Sequence, residues 1–330
     1  MKFSAIIGGI FGLGLAAWLL ESYGIERIFE LLRHAGWAGM LALIAFHLIQ
    51  ILFSALGWRT IAGPTKPRPG LGAYFGLRLI REAVNNLLPV AQIGGQVVAT
   101  RLLQRRGMKL APAIAGTVAD LTMEVVTQIV FTLLGLVLLL WTVGDSGIAG
   151  YVASGLLAGT LAVAGLLAAQ WLGLVAAIEK GLMRLGRSMG WAGTAHVEGL
   201  HQALIGCYRS PRRVAQAAFW QLSCWLLGGI EACIALHFLG HDIGIGPGLI
   251  IESLGQALKS VGFAVPGALG VQEGGYILVC QVLGLSPEVA IALSLLKRLR
   301  EVALGIPGLI LWQRTEAKAA ALPRSVSDAI

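Results

Sequence analysis

The sequence predicts an all-α polytopic membrane protein with about six full transmembrane helices and two re-entrant hairpins in an inverted repeat. Three observations carry that expectation. Of 330 residues, 56% are hydrophobic and only 13% are charged, with a mean hydropathy of +0.78; a soluble domain carries about 25% charged residues. The apolar residues gather in runs near the ~20 that a membrane-crossing helix needs. Two further apolar stretches are broken by Pro and Gly, and irregular backbone at membrane depth is tolerated only inside protein or beside water. Together these exclude a disordered chain, a disulfide scaffold and a soluble enzyme.

Taken in order, Phe3 to Leu20 is the first span. It lacks a small-x-small cleavage site and is longer than a signal-peptide core, so it is expected as a retained anchor. Gly36 to Trp58 is the second, with His47 and Gln50 inside it. Leu71 to Leu103 is the first interrupted stretch, broken by Pro89, Gly94 and Gly95. Ala111 to Trp141 and Ile148 to Val175 are the third and fourth spans. The segment 177–213 sets Lys180, Arg184 and Arg187 beside Leu182, Met183 and Leu185, the pattern of a cytoplasmic surface helix. Val214 to Gly240 is the fifth span. The second interrupted stretch, 248–285, holds Pro266, Gly267, Gly270, Gly274 and Gly275. Pro287 to Trp312 closes a single integral membrane domain, 1–313, followed by a frayed cytoplasmic tail, 314–330. The alternative for each interrupted stretch is an ordinary kinked helix.

The distribution of basic residues sets the orientation. With the N-terminus inside, the cytoplasmic stretches hold seventeen Lys and Arg, and the outside stretches hold two, Arg27 and Arg33. Cytoplasmic loops favour Lys and Arg, so both termini are expected inside. The net charge of +8 then reflects topology and anionic lipid contact, with no nucleic-acid partner. The halves also match in outline: Leu110-Ala-Pro112 with Leu285-Ser-Pro287, and Glu124-Val125 with Glu301-Val302. Three full spans separate the hairpins, so they would enter from opposite sides, as in many transporters with a site near the midplane.

Six Lys and Arg remain, all in apolar stretches: Arg78, Arg81, Lys259, Lys297, Arg298 and Arg300. Seven carboxylates accompany them: Glu82, Asp120, Glu124, Glu231, Glu252, Glu273 and Glu301. Arg78, Arg81, Glu82, Asn85 and Asn86 share one helix face, as do Glu252, Gln256, Lys259 and Ser260. Thr117, Asp120, Glu124 and Gln128 line one face of the third span, and Ser294, Lys297, Arg298 and Glu301 one side of the last. A charge at the bilayer centre costs at least ~2.5 kcal/mol, so these groups face one another or water. They form either an ion-pair network that pins the hairpins or a polar cavity for an ion or lipid headgroup. Burial disfavours a charged carboxyl, which makes Asp120, Glu124 and Glu231 candidates for proton coupling. Gln92 and Gln96 flank Gly94-Gly95, and Gln272-Glu273 precede Gly274-Gly275. Such turns serve helix packing or expose amides to an anionic group.

Catalytic signals are thin. Of the six His only His237 and His241 stand four apart, at the end of an apolar run with no HExxH pattern; no Ser sits in a nucleophile elbow, and the four Cys have no metal spacing. No enzyme activity, metal or cofactor is expected.

Arg81-Glu82-x-x-Asn85-x-Leu-Leu-Pro89-x-x-x-x-Gly94-Gly95 and Val265-Pro266-Gly-Ala-Leu-Gly270-Val-Gln-Glu273-Gly274-Gly275 resemble two signature stretches of the flippase-like membrane region of lysylphosphatidylglycerol synthases. The run Val-Asn-Asn-Leu-Leu-Pro-Val-Ala-Gln-Ile-Gly-Gly-Gln over 84–96 resembles the hopanoid-associated branch. The resemblance covers nearly the whole chain and is strongest over 76–130 and 248–312. It implies a bacterial inner-membrane protein that moves lipids between leaflets. Hopanoids or anionic phospholipids are the implied cargo. The alternative is a non-transporting scaffold for lipid or hopanoid biosynthesis enzymes. One departure stands out. The full synthases carry a soluble aminoacyl-transferase domain after the membrane region, whereas about 18 residues follow the last span here, so lysyl transfer is not expected.

Overall fold

The computed structural model describes residues 25–65, 67–88, 94–144, 154, 165, 199–261 and 270–320. Among them every regular element is an α-helix: α1 (Ile25–Ile61), α2 (Leu71–Leu87), α3 (Gly94–Arg105), α4 (Leu110–Val143), α5 (Leu200–Tyr208), α6 (Pro211–Phe238), α7 (Ile245–Val261), α8 (Val271–Val282) and α9 (Pro287–Ala320). The expected spans 3–20 and 148–175 lie outside the described residues, apart from Ser154 and Gly165. So do Pro89, Gln92, Pro266, Gly267 and residues 177–198 of the amphipathic segment.

Among the described residues three helices are long and apolar enough to cross a membrane: Ile28–Ile61, Leu110–Val143 and Pro211–Phe238. α9 is as long as α4, at 34 residues, but carries its charged block Lys297–Glu301 partway along. Leu41, Val130, Leu134, Phe219 and Ile306 point outward, an apolar surface suited to lipid. The chain is a multi-pass membrane protein.

Local signals explain the boundaries. α1 extends eleven residues upstream of the expected Gly36, because Gly36 itself adopts φ 56° and joins two helical pieces across a kink. Proline opens α6 at Pro211 and α9 at Pro287, where the absent N–H has no helical partner to lose. Gly107, Gly240 and Gly284 reverse the chain in the left-handed region after α3, α6 and α8. The tail differs from expectation: α9 continues helically to Ala320. Ala, Glu and Lys are strong helix formers, and Glu316 pairs with Arg105 at the end of α3. The amphipathic segment also departs from a simple surface helix. Within 199–213, α5 buries Leu200, Leu204 and Cys207 against Ala111, Ala115 and Ala119 of α4.

The packing exchanges partners between two halves. α2 and α3 have 17 and 12 residues, and so do α7 and α8. α1 packs on α6. The leading helix of each short pair packs on the long helix that follows the other pair: α2 lies on α9, and α7 lies on α4. Glycine permits the first of these contacts, since a Cβ at Gly308 would run into Ala83 and the Leu79 carbonyl of α2.

The apolar core of the described residues falls into three clusters. One cluster joins Ile28 and Leu43 of α1, Leu236 of α6, Ile250 of α7 and Ile291 of α9. Towards the other end, Trp58 of α1, Leu77 of α2 and Leu102 of α3 form a second, and Ile61, Ala115 and Leu204 a third. Along α1, α6 and α9, His47, Glu231 and Lys297–Arg300 fall between these clusters, while on α4 Asp120 and Glu124 lie beside Ala119 and Met123 of the third.

Candidate functional site: a charged layer beside a cavity

Each carboxylate in this layer meets donors from another helix. Arg81 of α2 is 2% exposed and Asp120 of α4 is fully buried. Arg81 Nη1 donates to Asp120 Oδ2 at 2.7 Å, and Gln221 Nε2 of α6 donates to Oδ1 at 2.7 Å. Arg81 Nη2 lies 2.5 Å from Glu124 Oε2, and its guanidinium sits 5.2 Å from the Trp58 ring. Arg78 pairs with Glu124 and, at 3.1 Å, with Glu82 one turn on. Asp120 and Glu124, expected as proton carriers, are thus anchored by arginines.

In the second half one pair reverses that polarity. The cation, Lys297, comes from the long helix α9, and the carboxylate, Glu252, from α7. Gln256 Nε2 also donates to Glu252 at 2.9 Å, and Tyr276 Oη lies 3.3 Å from it. Lys259 Nζ reaches Glu301 Oε1 at 2.9 Å. Arg298 Nε donates to Glu273 Oε1 at 2.5 Å, and Ser294 and Gln272 extend that cluster through hydrogen bonds of 3.1 and 3.0 Å. Glu231 of α6 receives Arg300 and Gln50, and His47 Nδ1 lies 3.1 Å away. The other ring nitrogen of His47 faces Glu82 Oε2 at 3.2 Å.

The second helix of each short pair, α3 and α8, shares a device at its start. Gly95 N–H donates to Asn85 Oδ1 at 2.8 Å, and Gly270 N–H donates to Glu273 Oε2 at 2.7 Å. In each case a side chain satisfies an amide that the helix leaves free. An anion at these turns would have to displace the protein's own acceptor. Gly274 and Gly275 lie inside α8, not in a turn, and Gly275 lets the helix approach Leu258 of α7. Gly95 plays the packing role in α3, where a Cβ would strike the Arg81 carbonyl.

Beside the layer lies a cavity of about 780 Å³. Arg78, Glu82, Asn85, Asn86, Gln96, Lys259, Arg300 and Glu301 all reach it, with Glu124 and part of Arg81. Facing them, Leu121, Val125, Ile129 and Leu133 of α4 form an apolar wall. Of the expected residues, Asp120, Glu231, Gln272, Glu273 and Lys297 do not line it; they are buried behind. His47, Gln50, Gln221, Trp58 and Tyr276 belong to the layer but were not assigned to a site from sequence. His47 and Gln50, one turn apart in an apolar span, are the signal that could have found two of them.

No protein of curated function and no solved structure matches this chain. A family model does, that of the lysylphosphatidylglycerol synthase TM region, over residues 5–308. With residues 5–308 of 330 matched, the chain belongs to the family of the lysylphosphatidylglycerol synthase transmembrane region.

Proposed function

We propose that the protein is a flippase-like lipid transporter of the bacterial inner membrane, carrying a polar lipid between leaflets without performing group transfer. One observation carries this: a single cavity presents a charged wall and an apolar wall at mid-helix height. An amphiphile matches that pair of surfaces, its head on Arg78, Lys259 and Glu301 and its chain along Leu121, Val125 and Ile129. At about 780 Å³ the cavity falls within the usual range for ligand sites. The guanidinium and ammonium groups suit a phosphate or polyol head, as in an anionic phospholipid or a hopanoid.

The short helix pairs serve in this scheme as re-entrant hairpins. A 12-residue helix is about 18 Å long, short of a ~30 Å hydrocarbon core. Equal helix lengths and the exchanged packing support an inverted repeat, and the Lys/Arg distribution supports cytoplasmic termini. The second function, a scaffold for lipid-biosynthesis enzymes, is favoured by the complete pairing of the layer's Lys and Arg residues with carboxylates.

Mass spectrometry of lipids that co-purify with the protein in mild detergent separates the two. One lipid class enriched with wild type, and lost with folded Arg78→Ala and Lys259→Ala variants, is the expected result. It would name the cargo for a flipping assay in proteoliposomes. Bulk membrane lipid unchanged by either substitution would favour the scaffold.

A further inference from the structure

His47 sits where the hydrogen-bond count of the layer does not close. Its Nδ1 lies 3.1 Å from Glu231 Oε2 and its Nε2 lies 3.2 Å from Glu82 Oε2. A neutral imidazole has one N–H and one bare lone pair. With both carboxylates ionised, that lone pair would face a carboxylate oxygen with no hydrogen between them. The geometry requires one more proton, which makes the ring an imidazolium or one of the carboxyls an acid.

The other carboxylates of the layer need none. Asp120 accepts from Arg81 and Gln221. Glu124 faces Arg78 and Arg81. Glu252 faces Lys297 and Gln256, Glu273 faces Arg298, and Glu301 faces Lys259 and Arg300. The charge count likewise calls for one proton in the layer. Six Lys and Arg oppose seven carboxylates, and a proton on His47 brings the layer to neutrality. A neutral layer is far cheaper to hold at membrane depth than one with an uncompensated charge.

We propose that His47 is the proton-binding site of this protein, and that the bound proton ties the first hairpin to the α1–α6 scaffold. The proposal rests on the transporter reading and names its coupling ion. The groups that face the ring come from three helices. α6 supplies Glu231. α2 supplies Glu82, with Arg78 behind it. α9 supplies Arg300 and Glu301, and Arg300 opposes the imidazolium charge that the two carboxylates favour. From α4, Glu124 engages Arg78. His47 also lines the large cavity, which gives the proton an aqueous route.

Loss of the proton breaks one of the two contacts, and the structure decides which. Glu231 keeps Arg300 and Gln50 and is 1% exposed. Among the described residues Glu82 keeps only the Arg78 contact, and its side chain is 26% exposed beside the cavity. The Glu82 contact therefore opens, and α2 loses this polar tie to α1 and α6 while its apolar packing on Trp58 remains. A headgroup donor in the cavity can then take the carboxylate that the ring released, so proton release and cargo capture alternate at Glu82.

The test uses the full chain in nanodiscs of phosphatidylethanolamine and phosphatidylglycerol. Nitrogen-15 NMR of ring-labelled histidine reads the protonation state, with His47 assigned by its loss in His47→Gln. An imidazolium signature at about pH 7 in wild type, replaced by a neutral ring in Glu82→Gln, is expected. Spin labels at Gly72 on α2 and Phe219 on α6, both open positions, read the tie. Their distance distribution shifts between about pH 6 and about pH 8 in wild type. In His47→Gln it sits at the high-pH form throughout. A neutral wild-type ring at pH 7 together with a pH-independent distance overturns the proposal. A titrating ring with an unmoved distance overturns the tie. Neither measurement requires a lipid to be moved, so failure here is distinct from failure of transport.

Discussion

Replacing Asp120 by Leu removes the acceptor between Arg81 and Gln221, both of which reach it at 2.7 Å. The lost charge-assisted bond costs about 1.5–3 kcal/mol, and the Gln221 amide left unsatisfied costs about 1–3 kcal/mol. Glu124, 2.5 Å from Arg81 Nη2, still neutralises the guanidinium and trims the sum. The expected loss is about 3–5 kcal/mol, the range for breaking a buried pair. Arg81→Met costs a similar amount, because Asp120 is then left buried with Gln221 as its remaining donor. The double variant removes both charges together and retains mainly the Gln221 penalty, about 1–3 kcal/mol. It is therefore more stable than either single variant, with a coupling of at least about 2 kcal/mol. Denaturant titration in a mild detergent, followed by tryptophan fluorescence, measures the cycle. Additive losses in the double variant would refute the pairing as an energetic unit. Single-variant losses under about 1 kcal/mol would refute its burial.

Other substitutions probe the close helix contacts and the tail. Gly95→Ala drives a Cβ into the Arg81 carbonyl and the Asn85 side chain. It is expected to cost about 1–3 kcal/mol, read as a lowered melting temperature. Gly308→Leu wedges α9 away from Ala83 and Leu79 of α2 and is expected to cost more than Gly76→Leu, which meets only Leu311; comparative thermal unfolding ranks the two. Glu316→Ala breaks a partly exposed pair with Arg105 and shifts stability by less than about 1 kcal/mol. In an otherwise Cys-free chain, Asn86→Cys is expected to react with a water-soluble maleimide through the cavity, whereas Ile251→Cys, fully buried in the core, is not.

Periodicity made much of this layer legible. The stripe Arg78, Arg81, Glu82, Asn85 on α2 and the stripe Asp120, Glu124, Gln128 on α4 follow from helical spacing alone, and they do face one another. The starts and ends of α4 and α6 fall within three residues of the apolar runs. What spacing cannot supply is the partner across the chain. His47 and Glu231 are 184 residues apart, and only the packing of α1 on α6 brings them together. The same holds for Trp58 under Arg81, since an aromatic ring in an apolar span carries no local mark of a cation above it. The glycine pair 274–275 misled for the opposite reason. Its composition suits a turn, but glycine is also tolerated in a helix where a neighbour approaches closely, as α7 does.

The crossed arrangement of α2 on α9 and α7 on α4 has a consequence for biosynthesis. A ribosome delivers the chain from its N-terminus, so α2 emerges roughly 215 residues before the helix that covers it. At about 5–20 residues per second, α2 and its two arginines wait on the order of ten to forty seconds for α9. During that interval Arg81 can already meet Asp120 and Glu124, which follow within 43 residues. Those carboxylates serve as an internal chaperone, neutralising the arginines until the second half arrives. Glu231 waits 69 residues for Arg300, and its earlier partners are His47 and Gln50 of α1. Truncation before α9 therefore leaves Glu231 without its arginine, held by His47 and Gln50.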